Sequence, residues 1–207
     1  MERILITVSE LPDSTSEVVI GRGFPDPLLP VSSYRRTTAV FTQPGAAKVA
    51  QRVSDAVGAA PLMHLPDRDE AKSLAEVEKA YQWLAEIPVG RHDTIVGVGG
   101  GAVTDMAGFV AATWLRGIEA VMVPTTLLAA VDAAIGGKTG INFAGKNLVG
   151  AFHLPSRVII DLDVLDRVPG TLRLEDWPKP SRQDSSPTPS WSSCSSERGP
   201  RLRWRKS

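Results

Sequence analysis

Residues 94–117, TIVGVGGGAVTDMAGFVAATWLRG, decide the fold. Thr94-Ile95-Val96-Gly97-Val98 is a short apolar run, and it predicts a buried strand. It leads directly into Gly99-Gly100-Gly101, after which an alanine-rich stretch predicts a long helix over roughly 102–116. Gly97-Val98-Gly99-Gly100-Gly101-Ala102 fits loosely the G-x-G-x-x-G/A pattern of dinucleotide-binding turns. Glycines there let the backbone approach a pyrophosphate, whose charge then sits at a helix N-terminus. Such a turn also occurs where a helix and a strand simply pack closely, and the motif alone is compatible with either reading.

On both sides of this unit, strands and helices alternate. Upstream, RILITV (3–8) and EVVIG (17–21) flank a Pro/Asp/Ser turn and predict a hairpin. TAVFT (38–42) predicts a buried strand, followed by a helix near 45–57 and a strand at PLMHL (61–65). Asp69 to Glu86 is the clearest amphipathic helix, with Leu74, Val77, Tyr81 and Leu84 on one face. Downstream, EAVMV (119–123) and RVIIDL (157–162) predict further strands. This alternation implies an α/β fold: a Rossmann-like, mostly parallel sheet with helices on both faces, preceded by the hairpin.

Composition narrows the function classes. The 207 residues carry 23 Lys+Arg against 23 Asp+Glu, so no overall charge points to nucleic acid or a membrane surface. The single cysteine, Cys194, leaves no disulfide framework or cysteine metal site within one chain. No signal peptide or apolar span is legible, and a cytoplasmic protein is expected. The texture changes near Glu175. Residues 177–207 hold nine serines, five prolines, five arginines and three tryptophans, without helical or extended period. Such a segment is expected to be disordered, which divides the chain into a domain over 1–175 and a tail over 176–207.

Two more regions carry polar chemistry. Asp132-Ala133-Ala134-Ile135-Gly136-Gly137-Lys138-Thr139 ends like a phosphate-binding P-loop. The P-loop needs a glycine where Asp132 stands and a strand just before it, and an acidic residue in the cradle repels phosphate. Across 116–147, Arg116, Thr125, Thr126, Asp132, Lys138, Lys146 and Asn147 lie among glycines and small apolar residues. Converging Lys, Arg and Asn suit an anionic small molecule with phosphate and carboxylate groups, although solvated lysines give the same pattern. His64, His92 and His153 are scattered, without metal-ligand spacing.

Three long blocks carry a resemblance: GVGGGAVTDMAGFVAATWLRG (97–117), VPTTLLAAVDAAIGGKTGIN (123–142) and GKNLVGAFHLP (145–155). In this order they resemble 3-dehydroquinate synthase, and the likeness continues more weakly from about residue 3 to about Arg173. The resemblance implies an NAD-binding lyase of the shikimate pathway, which leads to the aromatic amino acids. It cyclises a seven-carbon phosphorylated sugar acid to 3-dehydroquinate with loss of phosphate, using NAD catalytically and a divalent zinc or cobalt. Carried over residue by residue, the NAD contacts fall on Asp67, Asp69, Lys72, Gly101, Ala102, Val103, Thr104, Asp105, Thr125 and Thr126, and near Val164 to Arg167. Lys138 and Lys146 are shared between cofactor and substrate. Asp132, Lys138, Lys146 and Asn147 would face the substrate, and Arg116 would reach the phosphate of a neighbouring subunit, which implies a homodimer. Arg68 and Asp69 stand where the commoner pattern has Gly and Glu. Thr42 and Gln43 replace the acidic or amide residue often seen near the adenosine. Other sugar-phosphate cyclases and zinc-dependent glycerol-type dehydrogenases share such a domain, and a non-catalytic NAD-binding fragment is a further reading.

The family holds its metal with one Glu and two His in a helical C-terminal domain that is expected to be absent here. Where its Ala-Glu-x-x-Lys motif should follow the stretch resembling 161–173, this chain reads WPKPSRQDSSPTPSWS. Synonymous codons for that tail exist which, read two bases later, give Ala-Glu-Ala-Val-Lys-Ala-Gly-Phe-Ile-Ala-Asp-Pro-Val-Met-Glu. The tail is therefore expected to be out of frame, no metal ligands are assigned, and the chain alone is expected to be inactive.

Overall fold

The computed structural model describes residues 2–8, 11–23 and 37–167, together with the backbone of 203–206. The predicted hairpin is present as β1 (Glu2–Val8) and β2 (Leu11–Gly21), paired antiparallel. The parallel strands are β3 (Thr38–Thr42), β4 (Leu62–His64) at the sheet edge, β5 (Thr94–Gly99), β6 (Glu119–Pro124) and β9 (Arg157–Asp161). They are parallel to one another, and β9 continues parallel onto β2. The tail expected to lack structure lies mostly outside the described residues. Its exception is β10 (Arg203–Lys206), which pairs antiparallel with β1. The sheet order is β10-β1-β2-β9-β6-β5-β3-β4.

Period-two alternation splits the apolar strands between two cores, as expected for a parallel sheet covered on both sides. Val40, Val96, Val98, Val121, Val123 and Ile159 face α1 (Ala47–Ala56) through its Ala50 and Val53. Ala39, Phe41, Ile95, Ala120, Met122 and Val158 face α2 (Leu74–Glu86) and α3 (Gly101–Thr113). Eight residues of α3 are buried, making it the central helix of that face. Its approach to the sheet depends on absent side chains: a Cβ on Gly99 would lie 2.5 Å from Val103 Cγ2, and one on Gly108 would overlap the Thr139 side chain.

Two helices begin or end differently from the sequence reading. The helix expected from Asp69 starts at Leu74, capped by Ser73, whose hydroxyl accepts from the Glu76 N–H. Arg68–Ala71 instead forms a 3₁₀ turn, with Arg68 left-handed at φ 50°. Ser73 is extended at φ −114° and ψ 155°, so the helix cannot run through it, and Leu74 at the new start is 54% exposed. The helix expected over 102–116 ends at Thr113. Trp114–Arg116 follows as a 3₁₀ turn in which Leu115, Arg116 and Gly117 all have positive φ.

The connection from β6 to β9 holds elements for which the sequence reading gave no strand or helix. A π-helical turn, Ala129–Ala133, precedes β7 (Lys138–Ile141) and β8 (Val149–Phe152), which form a separate antiparallel pair. After β9, Asp161 caps a short helix, α4 (Leu162–Asp166), tied to the end of β2 by Arg22 through Asp163 at 2.6 Å and Asp166 at 3.0 Å.

Candidate functional site

The chain passes from β3 to β4 on one side and then crosses back to β5 on the other. The strand order therefore reverses between β3 and β5, and a crevice opens beyond the carboxyl ends of such neighbours. β3 ends there at Thr42, followed by Gln43, and β5 ends at Gly99, followed by Gly100. Helix α3 starts there, with Gly100 at its N-cap and no side chain capping it among the described residues. Its first-turn N–H groups and positive dipole end point into the crevice, which suits an anionic ligand. A Cβ on Gly100 would meet Thr126 Cγ2 at 3.3 Å, so glycine keeps this cradle open to close approach. Thr125 donates its N–H to Gly99 O at 2.9 Å, which fixes the β6 end against the glycine turn.

The side chains around this helix start form one charged cluster. Lys72, only 3% exposed, pairs its ammonium with the Asp105 carboxylate and donates to Asn147 Oδ1 at 2.5 Å. Burial pushes the Asp105 carboxyl above the usual carboxylate range. The Lys72 hydrogen bond and charge pull it down, and the nearby Asp132 and Asp69 charges add to the rise. Lys146 pairs with Asp69 at 3.2 Å across the mouth of the crevice. Both are largely exposed, so that pair adds little stability by itself.

The structure thus brings together Asp69, Lys72, Asp105, Asp132, Lys146 and Asn147, beside Gly101 to Thr104 and Thr125–Thr126. Asp67 is exposed and precedes the Arg68–Ala71 turn. Lys138 is exposed at the head of β7, outside any ion pair among the described residues. Arg116 is not in the cluster. It is exposed beyond the other end of α3, about 20 Å along the axis at 1.5 Å per residue. Val164 to Asp166 lie in α4, which Arg22 and Asp161 hold, and Arg167 follows at its end.

The roles of two residues, Gln43 and Asn142, go beyond what the sequence reading gave. Gln43 donates through Nε2 to Pro66 O at 2.8 Å and Arg68 O at 3.0 Å, so its amide holds the turn that carries Asp67 and Asp69. Asn142 ties the loop bearing Lys146 and Asn147 to Lys72. Neither role has a local signal, because each depends on a partner far away or on loop geometry. The left-handed Arg68 was half visible: it occupies the position where the resembling family has glycine, which takes that φ without strain.

Among the described residues, no group of three His, Cys, Asp or Glu could hold a metal ion. His153 faces the Ile118 carbonyl at 2.8 Å, while His64 and His92 are exposed. Among the described residues, no helix is long and apolar enough to cross a membrane.

Comparison with known proteins agrees with this geometry. The family model described as 3-dehydroquinate synthase N-terminal matches residues 62–173. A 3-dehydroquinate synthase of Rhodococcus opacus (strain B4) is 50% identical over 157 residues, spanning 73% of this chain and 42% of that protein. The chain covers less than half the length of that relative. A structure of 2-deoxy-scyllo-inosose synthase complexed with carbaglucose-6-phosphate, NAD+ and Co2+ superposes with a TM-score of 0.69 at 27% identity, over 81% of this chain and 47% of that one. A 2-epi-5-epi-valiolone synthase from Streptomyces hygroscopicus subsp. jinggangensis 5008, with NAD+ and Zn2+ bound, gives a TM-score of 0.58 at 27% identity, over 76% and 46%. With the parallel sheet, the glycine turn at the strand reversal and the matched residues 62–173 in agreement, the chain belongs to the 3-dehydroquinate synthase family, as an N-terminal part of it.

Proposed function

We propose that this chain is the cofactor-binding half of a 3-dehydroquinate synthase, a lyase that closes a phosphorylated seven-carbon sugar acid to 3-dehydroquinate and expels phosphate. The observation that carries the reading is the uncapped start of α3 at the strand reversal, with the Lys72–Asp105–Asn147 cluster beside it. Gly101 and Ala102 would present N–H groups to the pyrophosphate of NAD. Asp69 would accept from a ribose hydroxyl, with Asp67, Lys72, Val103, Thr104, Asp105, Thr125 and Thr126 lining the same cofactor. When bound, NAD supplies reversible hydride acceptance. Lys138, Lys146 and Asn147 would receive carboxylate and phosphate groups, and Asp132 would face the reacting ring. Arg116, far from this cluster, would serve the site of a second copy in a cytoplasmic homodimer.

The described residues bring no metal donor set together, and the relative is more than twice as long as the matched stretch. We therefore expect no turnover from this polypeptide alone, even with zinc supplied. The tail after Glu175 remains proposed as an out-of-frame segment, which the nucleotide sequence across codons 165–207 decides. The functional test is an NAD titration coupled to an assay of phosphate release from the seven-carbon substrate. Binding without release is expected. Dehydroquinate formation by purified chain would overturn the half-enzyme reading, and protection by ATP in place of NAD would revive a nucleoside triphosphate site at 132–139.

A further inference from the structure

We infer that Asn142 is a positioning residue that holds the loop carrying Lys146 and Asn147 against the turn carrying Asp69 and Lys72. The inference rests on the cofactor and substrate roles proposed above for those four residues.

The loop from Asn142 to Asn147 is not self-sustaining. Ala144 and Asn147 have φ of 54° and 56°, the left-handed region, which costs an L-residue on the order of 1 kcal/mol each. The loop is also exposed from Phe143 onward, so burial does not set its shape. What sets it is a set of polar ties that converge on Asn142. Its N–H donates to Lys72 O at 2.7 Å, and it forms an isolated parallel bridge with Ser73. Its side-chain Oδ1 accepts the Asn147 N–H at 3.0 Å. Phe143 N–H closes the inner turn on Gly145 O at 3.1 Å.

With Asn147 fixed this way, its own Oδ1 reaches Lys72 Nζ, and Lys146 reaches Asp69. The backbone of Lys72 thus anchors the loop, while its ammonium receives the loop's last side chain. One amide, Asn142, closes that circuit. Without its Oδ1, the Asn147 N–H loses its acceptor within the loop, and the two left-handed residues lose the tie that spans them. The substrate loop is then held to the cofactor turn less tightly at its Asn147 end.

The test is amide hydrogen exchange on the full chain, comparing Asn142→Ala and Asn142→Asp with the unaltered protein. Asn142→Ala should speed exchange at Asn147 about five- to tenfold, the loss of one ordinary hydrogen bond, and quicken tryptic cleavage after Lys146. Asn142→Asp keeps the acceptor oxygen and should restore both. Amides inside α3, such as Val110, should be unchanged in each variant. Unaltered exchange at Asn147 in Asn142→Ala, or no restoration by Asp, overturns the inference. Faster exchange in α3 as well would mean global destabilisation and overturns it too. These readouts need no cofactor, so they fail separately from the NAD titration that tests the proposed function.

Discussion

Replacing Lys72 by Met removes the cation from the centre of the cluster while keeping most of its apolar stem. Lys72 is 3% exposed, and its Asp105 partner side chain is 17% exposed. Truncating one member of a buried ion pair typically destabilises by about 3–5 kcal/mol, because the remaining charge is left uncompensated. Two features reduce that figure here. The thioether adds apolar burial worth about 1 kcal/mol. Asp105 can also escape by protonation, since burial already raises its pKa and Lys72 supplies both influences that lower it. A net loss of about 2 kcal/mol follows, or about 4–8 °C in Tm for a chain of this size. Adding Asp105→Asn should recover about half of the loss, since no orphaned charge then remains. Thermal unfolding followed by circular dichroism at pH 7 measures both. A Lys72→Met protein that melts with the unaltered chain, or a double variant that melts no higher than the single one, refutes the reasoning.

The same carboxyl sets a pH dependence. Its folded pKa lies above its unfolded one, so its contribution to stability is complete below the unfolded value and is lost as pH rises through the folded value. In Lys72→Met the folded value rises further, so the stability deficit should shrink on acidification; denaturant melts at stepped pH check this. Gly108→Ala should destabilise by about 1–3 kcal/mol despite a helix-propensity gain near 1 kcal/mol. The new Cβ overlaps Thr139, whose hydroxyl is held by Ala151 O at 2.9 Å and cannot turn away without losing that bond. Ser73→Ala should remove about 1 kcal/mol by uncapping α2, visible as a lower urea midpoint at unchanged slope. Arg68→Gly should be close to neutral in the same assay, because relief of left-handed strain offsets the entropy glycine adds to the unfolded chain.

The sheet and its flanking helices were legible because their signals are local and periodic. Val96, Val98, Ile95 and Val121 are apolar on both faces of their strands, as a buried parallel sheet demands. The glycine turn before α3 was legible for the same reason. The β7–β8 pair was not: four-residue strands containing Gly140 and Gly150 carry no period long enough to stand out. The expected start of α2 at Asp69 lies five residues before the first apolar position, Leu74, where the helix begins. The extended Ser73, capping through its hydroxyl, sets that start. In the site, Lys72 and Asp105 came from family likeness, and Asn147 also from the polar density of 116–147. Their mutual contact spans up to 75 positions in sequence and is a property of the fold.

The most direct test of the central claim, that the start of α3 is a dinucleotide cradle, is NMR mapping of backbone amides during titration with NAD. The account expects shifts at 100–105, 125–126 and 67–72, where the glycine turn, the β6 end and the Asp67–Lys72 turn meet. Amides that stay unmoved at saturating NAD, or shifts confined to 132–139, would contradict it.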